Sequence, residues 1–369
     1  MPQRIIIVNP FGIGDVVFST PVVENVKAAY PDAFIAYLCN ARTAPIFRDN
    51  PHIDKVFIYE KDDWRRLWRR SRIRCIIDFL RFLREIKRCR FDLSIDLSLG
   101  RHYSFFLWLL GVGKRYGLNY KNRGLFLTRK IDIRGYEDKH VIEYYLDLLR
   151  FMGLNPRQVR PRVYIKEEHR AWAREFLKAK GLDVSAPSSG DMNSAPRLVG
   201  IIPGGGITWG RDVEARRWPR ERFARLADEI IRQCRATVLI FGDRSEKGLC
   251  RDVCAAMDNK PIAIVGETTL SQFIALLSCC SLVVANDGGP LHLSVALGAR
   301  TVSIFGPVDE RVYGQYPPDP NRHRVVKKAL PCRPCYNRFR KPPCYYHRRC
   351  LRNITVAEAL IDVFDLLGK

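Results

Sequence analysis

Val283-Val284-Ala285-Asn286-Asp287-Gly288-Gly289-Pro290-Leu291-His292-Leu293 is the stretch on which the fold of this chain turns. An apolar run ends at an acid, two glycines follow, and a helical pattern opens behind Pro290. The stretch reads as a strand, a tight turn and a helix N-terminus. Such a turn offers free backbone N–H groups and the positive end of a helix dipole to an anion. The paired glycines let a diphosphate approach the backbone closely. Asp287 is placed to accept a hydrogen bond from a hydroxyl, such as a sugar's. A second strand–glycine–helix turn stands near the N-terminus at Gly12-Ile13-Gly14-Asp15. Two such turns in two α/β halves predict a cleft with a donor on one side and an acceptor on the other.

Strands and helices alternate along the whole chain. Ile5–Val8, Ala33–Leu38, Asp54–Tyr59 and Phe91–Leu97 read as strands, Val16–Tyr30, His140–Met152 and Glu167–Lys180 as helices. The second half restarts with the strand Leu198–Ile202 and alternates to the strand Thr301–Phe305. Strands separated by helices argue for parallel sheets covered on both faces. Between the halves, residues 183–197 are rich in Ser, Pro and Asn and read as a linker or mobile surface loop. The expected organisation is an N-terminal domain over 1–182, that linker, a C-terminal domain over 198–350 with a cysteine-rich tail segment, and a last helix within 351–369. The apolar face of Val356–Leu367 could dock on either half.

With 369 residues and 47% of them hydrophobic, each half can bury a core. No run of 18 uncharged apolar residues exists, which excludes a transmembrane helix. The N-terminal apolar run Ile5–Val8 is too short for a signal-peptide core. The twelve cysteines are therefore expected in a reducing cytoplasm. The formal charge of +23 implies an acidic partner. Arginines concentrate between Trp64 and Arg90, interleaved with Leu67, Trp68, Ile73, Ile76, Ile77 and Leu80. This segment reads either as helices packed on a sheet with arginines in solvent, or as a contact with an anionic membrane face. Nucleic acid is the less favoured partner, because no helix-turn-helix, zinc-finger or RNA-recognition signature is present.

The candidate chemistry lies at the glycine turns. Asp15 reads either as a helix N-cap or as a general base that takes a proton from an attacking hydroxyl. Gly204, Gly205 and Gly206 end the strand Leu198–Ile202, where backbone can again meet phosphate. The loop behind them carries Arg211, Arg216 and Arg217. A cation there, Arg216 first of all, would neutralise charge building on a departing diphosphate. Glu246 opens a helix after Phe241-Gly242-Asp243 and reads as a first-turn acid or as an acceptor for ribose hydroxyls. Thr268 and Thr269 read as a helix cap or as nucleotide contacts, and His292 as a structural hydrogen-bonder or a phosphate contact. No Asp-x-Asp motif for a divalent ion occurs in the chain. That favours charge stabilisation by backbone amides and arginines, with no cofactor required for catalysis.

Taken in order, Gly14-Asp15 with Thr20-Pro21, Pro203-Gly204-Gly205, Arg216-Arg217-Trp218-Pro219, Gly266-Glu267-Thr268-Thr269-Leu270 and Asp287-Gly288-Gly289-Pro290-Leu291-His292 resemble glycosyltransferase family 9. This is the ADP-heptose:lipopolysaccharide heptosyltransferase family. The resemblance implies a GT-B architecture, two Rossmann-like domains facing across a cleft. It implies metal-independent, inverting transfer of heptose from an ADP-heptose donor to a lipid A-linked core oligosaccharide acceptor. It makes Asp15 the base and puts Asp287 on the donor sugar. It sets Gly288, Gly289 and His292 by the diphosphate, Glu246 on the ribose, and Thr268 with Thr269 beside the base. Where the family often carries lysine, this chain has Arg216, which keeps the charge on a bulkier, forked group. The implied enzyme is cytoplasmic and peripheral on the inner face of the inner membrane. The alternatives are a GT-B transferase or epimerase using another nucleotide sugar, such as a UDP sugar, and a basic protein binding nucleic acid or anionic lipid.

Cys332, Cys335, Cys344 and Cys350 crowd into a Pro/Arg/Tyr-rich segment. Their spacing suggests a structural zinc site, with an iron–sulfur cluster, which would have no role in sugar transfer, as another metal reading, against free thiols or two disulfides. The other eight cysteines read as small core residues.

Overall fold

The computed structural model describes residues 2–182, 197–206 and 210–369. The predicted linker, apart from Arg197, lies outside these residues, as do Thr208, Trp209 and the side chain of Arg211. The chain divides into two compact units, Met1–Tyr164 and Ile165–Lys369. The boundary falls earlier than the expected one at residue 182. The reason is the helix Glu167–Ala179, which packs on the second-unit helix Leu270–Ser278. That pairing is a tertiary contact, and nothing in the local pattern announces it.

Each unit is built on one six-stranded parallel sheet. In the first, β1 (Arg4–Val8), β2 (Phe34–Cys39), β3 (Lys55–Ile58), β4 (Leu93–Asp96), β5 (Lys114–Tyr120) and β6 (Arg129–Ile133) run in the order β3-β2-β1-β4-β5-β6. In the second, β7 (Leu198–Ile202), β8 (Thr237–Gly242), β9 (Ile262–Val265), β10 (Leu282–Asn286), β11 (Arg300–Ile304) and β12 (His323–Val326) repeat it as β12-β11-β10-β7-β8-β9. Both are therefore the doubly wound order 3-2-1-4-5-6. The central strands are buried on both faces and read as unbroken apolar runs, Ile5–Val8 in β1 and Leu282–Ala285 in β10.

The expected helix Val16–Tyr30 is two helices, Ile13–Phe18 and Thr20–Ala29, meeting at Ser19 ahead of Pro21. The last helix, Val356–Leu367, docks on the second unit. Thr355 caps it through a reciprocal box with Glu358. Its buried residues Ala359, Val363 and Leu366 join the core made by Val199, Phe223, Leu226, Ile230 and Val284.

Candidate active site

In open parallel sheets, ligands bind beyond the carboxyl ends of the strands where the strand order reverses. In the second unit that point lies between β7 and β10. These are the two strands that run into Pro203–Gly206 and Asp287–Gly289. The two turns meet backbone to backbone. A Cβ on Gly288 would stand 2.2 Å from the Gly205 carbonyl oxygen, and one on Gly204 would stand 1.8 Å from Glu246 Oε1. Gly205 and Gly206 take φ of +82° and +86°, which glycine adopts without a steric penalty.

One buried side chain joins three segments. Asn286 donates from Nδ2 to the Pro203 carbonyl at 2.7 Å and accepts at Oδ1 from the Trp218 N–H at 3.0 Å. Trp218 is buried and donates its indole N–H to the Ile354 carbonyl at 3.0 Å. This anchor brings the two preceding arginines to the glycine turns. Arg217 donates from Nε to the Gly204 carbonyl at 2.9 Å and reaches Glu246 at 3.3 Å. Arg216 is ion-paired with Asp287.

Glu246 is 4% exposed. Its carboxylate accepts from the Gly206 N–H and the Asp243 N–H, each at 3.1 Å. Glu246 thus fastens the Gly204–Gly206 turn to the end of β8, and Gly204 is glycine because that carboxylate fills the space a side chain would take. Asp287 is buried, and its Oδ1 has no hydrogen-bond partner among the described residues. Burial pushes its carboxyl up, and the Arg216 guanidinium pulls back against that. His292 Nε2 lies 3.7 Å from Asp287 Oδ1. Burial, reinforced by the positive charge of Arg216, holds His292 down at about 3. It is thus a neutral imidazole at neutral pH, with an N–H and no charge of its own to offer a ligand.

The structure thus gathers Gly204, Gly205, Gly206, Arg216, Glu246, Asp287, Gly288, Gly289 and His292 at one sheet reversal. Thr268 and Thr269 stand nearer the sheet edge, in the turn after β9, whose Gly266 bonds back to Gly242. The Thr269 hydroxyl accepts from the Gln272 N–H and completes a capping box.

The first unit has the matching reversal between β1 and β4. Asp15 lies in the first turn of the helix after β1, half-buried, and the N-cap of that helix is Gly12. Capping is therefore not the role of Asp15. The turn is pinned by two buried asparagines: Asn9 donates to the Asp15 carbonyl at 3.0 Å, and Asn40 to the Pro10 and Phe11 carbonyls at 3.1 and 2.6 Å. Beside it, at the end of β4, stands an acid that the sequence reading did not single out. Asp96 pairs in register with Val8, is 3% exposed and accepts from the Ser98 N–H at 2.9 Å. Burial raises its carboxyl to about 6. Its available signal was positional: an acid at the end of the strand beside β1, as Asn286-Asp287 is beside β7. Arg217 was named only as one of three loop arginines, and its proximity to the glycine turn depends on Trp218.

All twelve cysteines are free thiols. Among the described residues, no group of three or more His, Cys, Asp or Glu side chains is arranged to hold a metal ion. Cys335 and Cys350 are raised by burial and then by the other thiols of the four-cysteine segment. The four are electrostatic neighbours in the fold as well as in sequence.

Comparison with known proteins bears on this arrangement. The Campylobacter jejuni lipooligosaccharide heptosyltransferase 2 is 24% identical over 371 residues, covering 99% of this chain and 98% of that protein. A glycosyl transferase family 9 structure from Veillonella parvula superposes with a TM-score of 0.80 at 22% identity, covering 99% and 97% of the two chains. The E. coli heptosyltransferase WaaC with ADP gives 0.71 at 17% identity, covering 98% and 99%. The fold is GT-B. A family model described as glycosyltransferase family 9 (heptosyltransferase) matches residues 79–345, a span that holds Asp96 and the whole second-unit site. With most of its length matched and both sheets wound as that fold requires, this chain is a glycosyltransferase and belongs to glycosyltransferase family 9.

Proposed function

We propose that this enzyme moves heptose from ADP-heptose to an inner-core sugar of a lipid A-linked oligosaccharide, with inversion and with no metal in the catalytic step. The observation that carries the proposal is the buried Arg216–Asp287 pair set on two interlocked glycine turns at the sheet reversal. A site of this kind suits a sugar diphosphate: N–H groups for the anion, an acid for sugar hydroxyls, and an arginine between them. The heptosyltransferase relatives, one of them solved with ADP, support the heptose and the adenine nucleotide.

In this reading Asp15 takes the proton from the acceptor hydroxyl. The freed oxygen pair forms the new glycosidic bond at the anomeric carbon as the bond to the β-phosphate oxygen breaks on the opposite face. ADP leaves with that electron pair. The N–H groups of Gly288, Gly289, Gly204 and Gly205, the His292 N–H and Arg216 receive the developing charge. Asp287 bonds the donor sugar, Glu246 the ribose, and Thr268 with Thr269 border the base. Zinc on the four thiols enters no step. The acceptor is lipid-linked, so the reaction belongs at the cytoplasmic face of the inner membrane. No helix among the described residues is long and apolar enough to cross a membrane.

The test is turnover of ADP-heptose on a lipid A-linked core acceptor in excess chelator, with the product anomer read by NMR. Transfer with inversion supports the proposal. Retention, loss of activity on chelation, or turnover of a UDP sugar in place of ADP-heptose overturns it.

A further inference from the structure

The helix Arg72–Arg88 carries two apolar faces, one buried and one exposed. One face is used: Cys75, Leu83 and Ile86 are buried, the last in a core with Phe57 and Phe91. On another face Ile73, Ile76, Ile77 and Leu80 follow the i, i+3, i+4, i+7 spacing of a single helical stripe. These four are 74%, 49%, 45% and 43% exposed. A soluble helix normally carries polar residues there.

The preceding helix adds a further exposed ring. The helix Lys61–Arg70 ends at Ser71, whose hydroxyl caps the next helix by accepting from the Arg74 N–H. Trp68 is 48% exposed, and the Arg72 guanidinium lies over its ring at 5.8 Å. Residues 61–90 hold twelve Lys and Arg against four Asp and Glu, a net +8 out of the chain's +23. Asp78 serves both Arg74 and Arg81, at 3.6 and 3.0 Å, and so leaves the excess standing.

We propose that these two helices form a docking surface for an anionic lipid bilayer, lying in its interface with the isoleucine stripe and Trp68 among the acyl chains and the arginines on the headgroups. Two observations select this occupant. The exposed apolar stripe has no use in binding nucleic-acid phosphates and fits the acyl boundary of a bilayer. A second copy of the chain would bring a net +8 against a net +8, whereas an anionic lipid surface supplies the counter-charge along the whole helix. The surface stands on its own side chains and holds whatever donor the enzyme uses.

The test is flotation of the full chain with vesicles of phosphatidylethanolamine and phosphatidylglycerol, beside vesicles of phosphatidylcholine alone. Binding is expected to the anionic vesicles and to fall steeply in about 1 M salt, where the Debye length is roughly 3 Å. Arg69→Gln/Arg70→Gln/Arg72→Gln is expected to weaken partitioning roughly 100-fold, about fivefold per charge. Ile73→Ser/Ile76→Ser/Ile77→Ser is expected to weaken it at least about tenfold. Both variants alter exposed positions, so their thermal melting should match wild type. The proposal is overturned by no vesicle binding, by equal salt-insensitive binding to both vesicle types, by variants that melt normally and bind as wild type does, or by a solution dimer that the isoleucine variant dissociates. None of these readouts requires nucleotide sugar or turnover, so their failure is separate from any failure of the ADP-heptose reading.

Discussion

Replacing Arg216 with methionine is expected to destabilise the second unit by about 3–5 kcal/mol at pH 8, the cost of leaving a buried charge without its partner. Asp287 is 2% exposed and Arg216 14%, so water cannot stand in for the lost guanidinium. The Asp287 carboxyl is already raised by burial, with Arg216 pulling against it. Without Arg216 it rises further. A carboxyl raised in the folded state holds a proton there that the unfolded chain has released. Stability therefore falls as pH rises from the unfolded value near 4 to the new folded value, by about 1.4 kcal/mol per pH unit, and then levels. The deficit should be small near pH 4 and full at pH 8. At about 2–4 °C per kcal/mol for a unit of this size, the melting point drops by roughly 6–20 °C. Arg216→Met/Asp287→Asn removes both charges and should recover most of the loss. The assay is urea unfolding of wild type, both single variants and the double variant at several pH values. A deficit that does not change with pH, or a double variant that equals the sum of the singles, would refute the reasoning.

Asp15→Asn is expected to lower kcat by about 10²–10⁴ while ADP affinity, read by calorimetry, stays at the wild-type value; turnover close to wild type would remove Asp15 as the base. Asp96→Asn should stabilise the first unit at pH 7 by about 3 kcal/mol. The carboxyl is raised from near 3.9 to about 6, so its buried charge costs stability above that value. The gain should vanish near pH 4 in denaturant titrations, and a stability loss at pH 7 would contradict the burial argument. Gly288→Ala places a Cβ 2.2 Å from the Gly205 carbonyl oxygen, and both partners are backbone. It should cost about 1–3 kcal/mol and abolish the thermal shift given by ADP; a normal shift would mean that the turns do not interlock.

The two sheets were legible because their central strands are unbroken apolar runs closed by glycine turns. Ile5–Val8 before Gly12 and Leu282–Asn286 before Gly288 carry that signal almost alone. β5 and β6 were missed because Lys114-Arg115 and Arg129-Lys130 put charge where a strand signal is sought, and because only the inner end of β5 is buried. The glycines, Asp287 and His292 were found because each sits at a strand–helix junction. Arg217 was legible only as one of three loop arginines and Asp96 not at all, because their places come from tertiary contacts: a tryptophan anchor in one case, full burial at a strand end in the other. For the thiols, proximity in sequence carries over into the fold, where the four remain electrostatic neighbours.

The indole of Trp218 bonds to the carbonyl of Ile354, 136 residues further along the chain. A ribosome that has translated through His292 has already made every glycine turn and both arginines of the candidate site. It has not yet made the acceptor that holds the arginine-bearing segment in place. During synthesis, then, the candidate site is among the last features of the second unit to be completed, and a nascent chain short of residue 354 carries the whole signature of the site without its geometry.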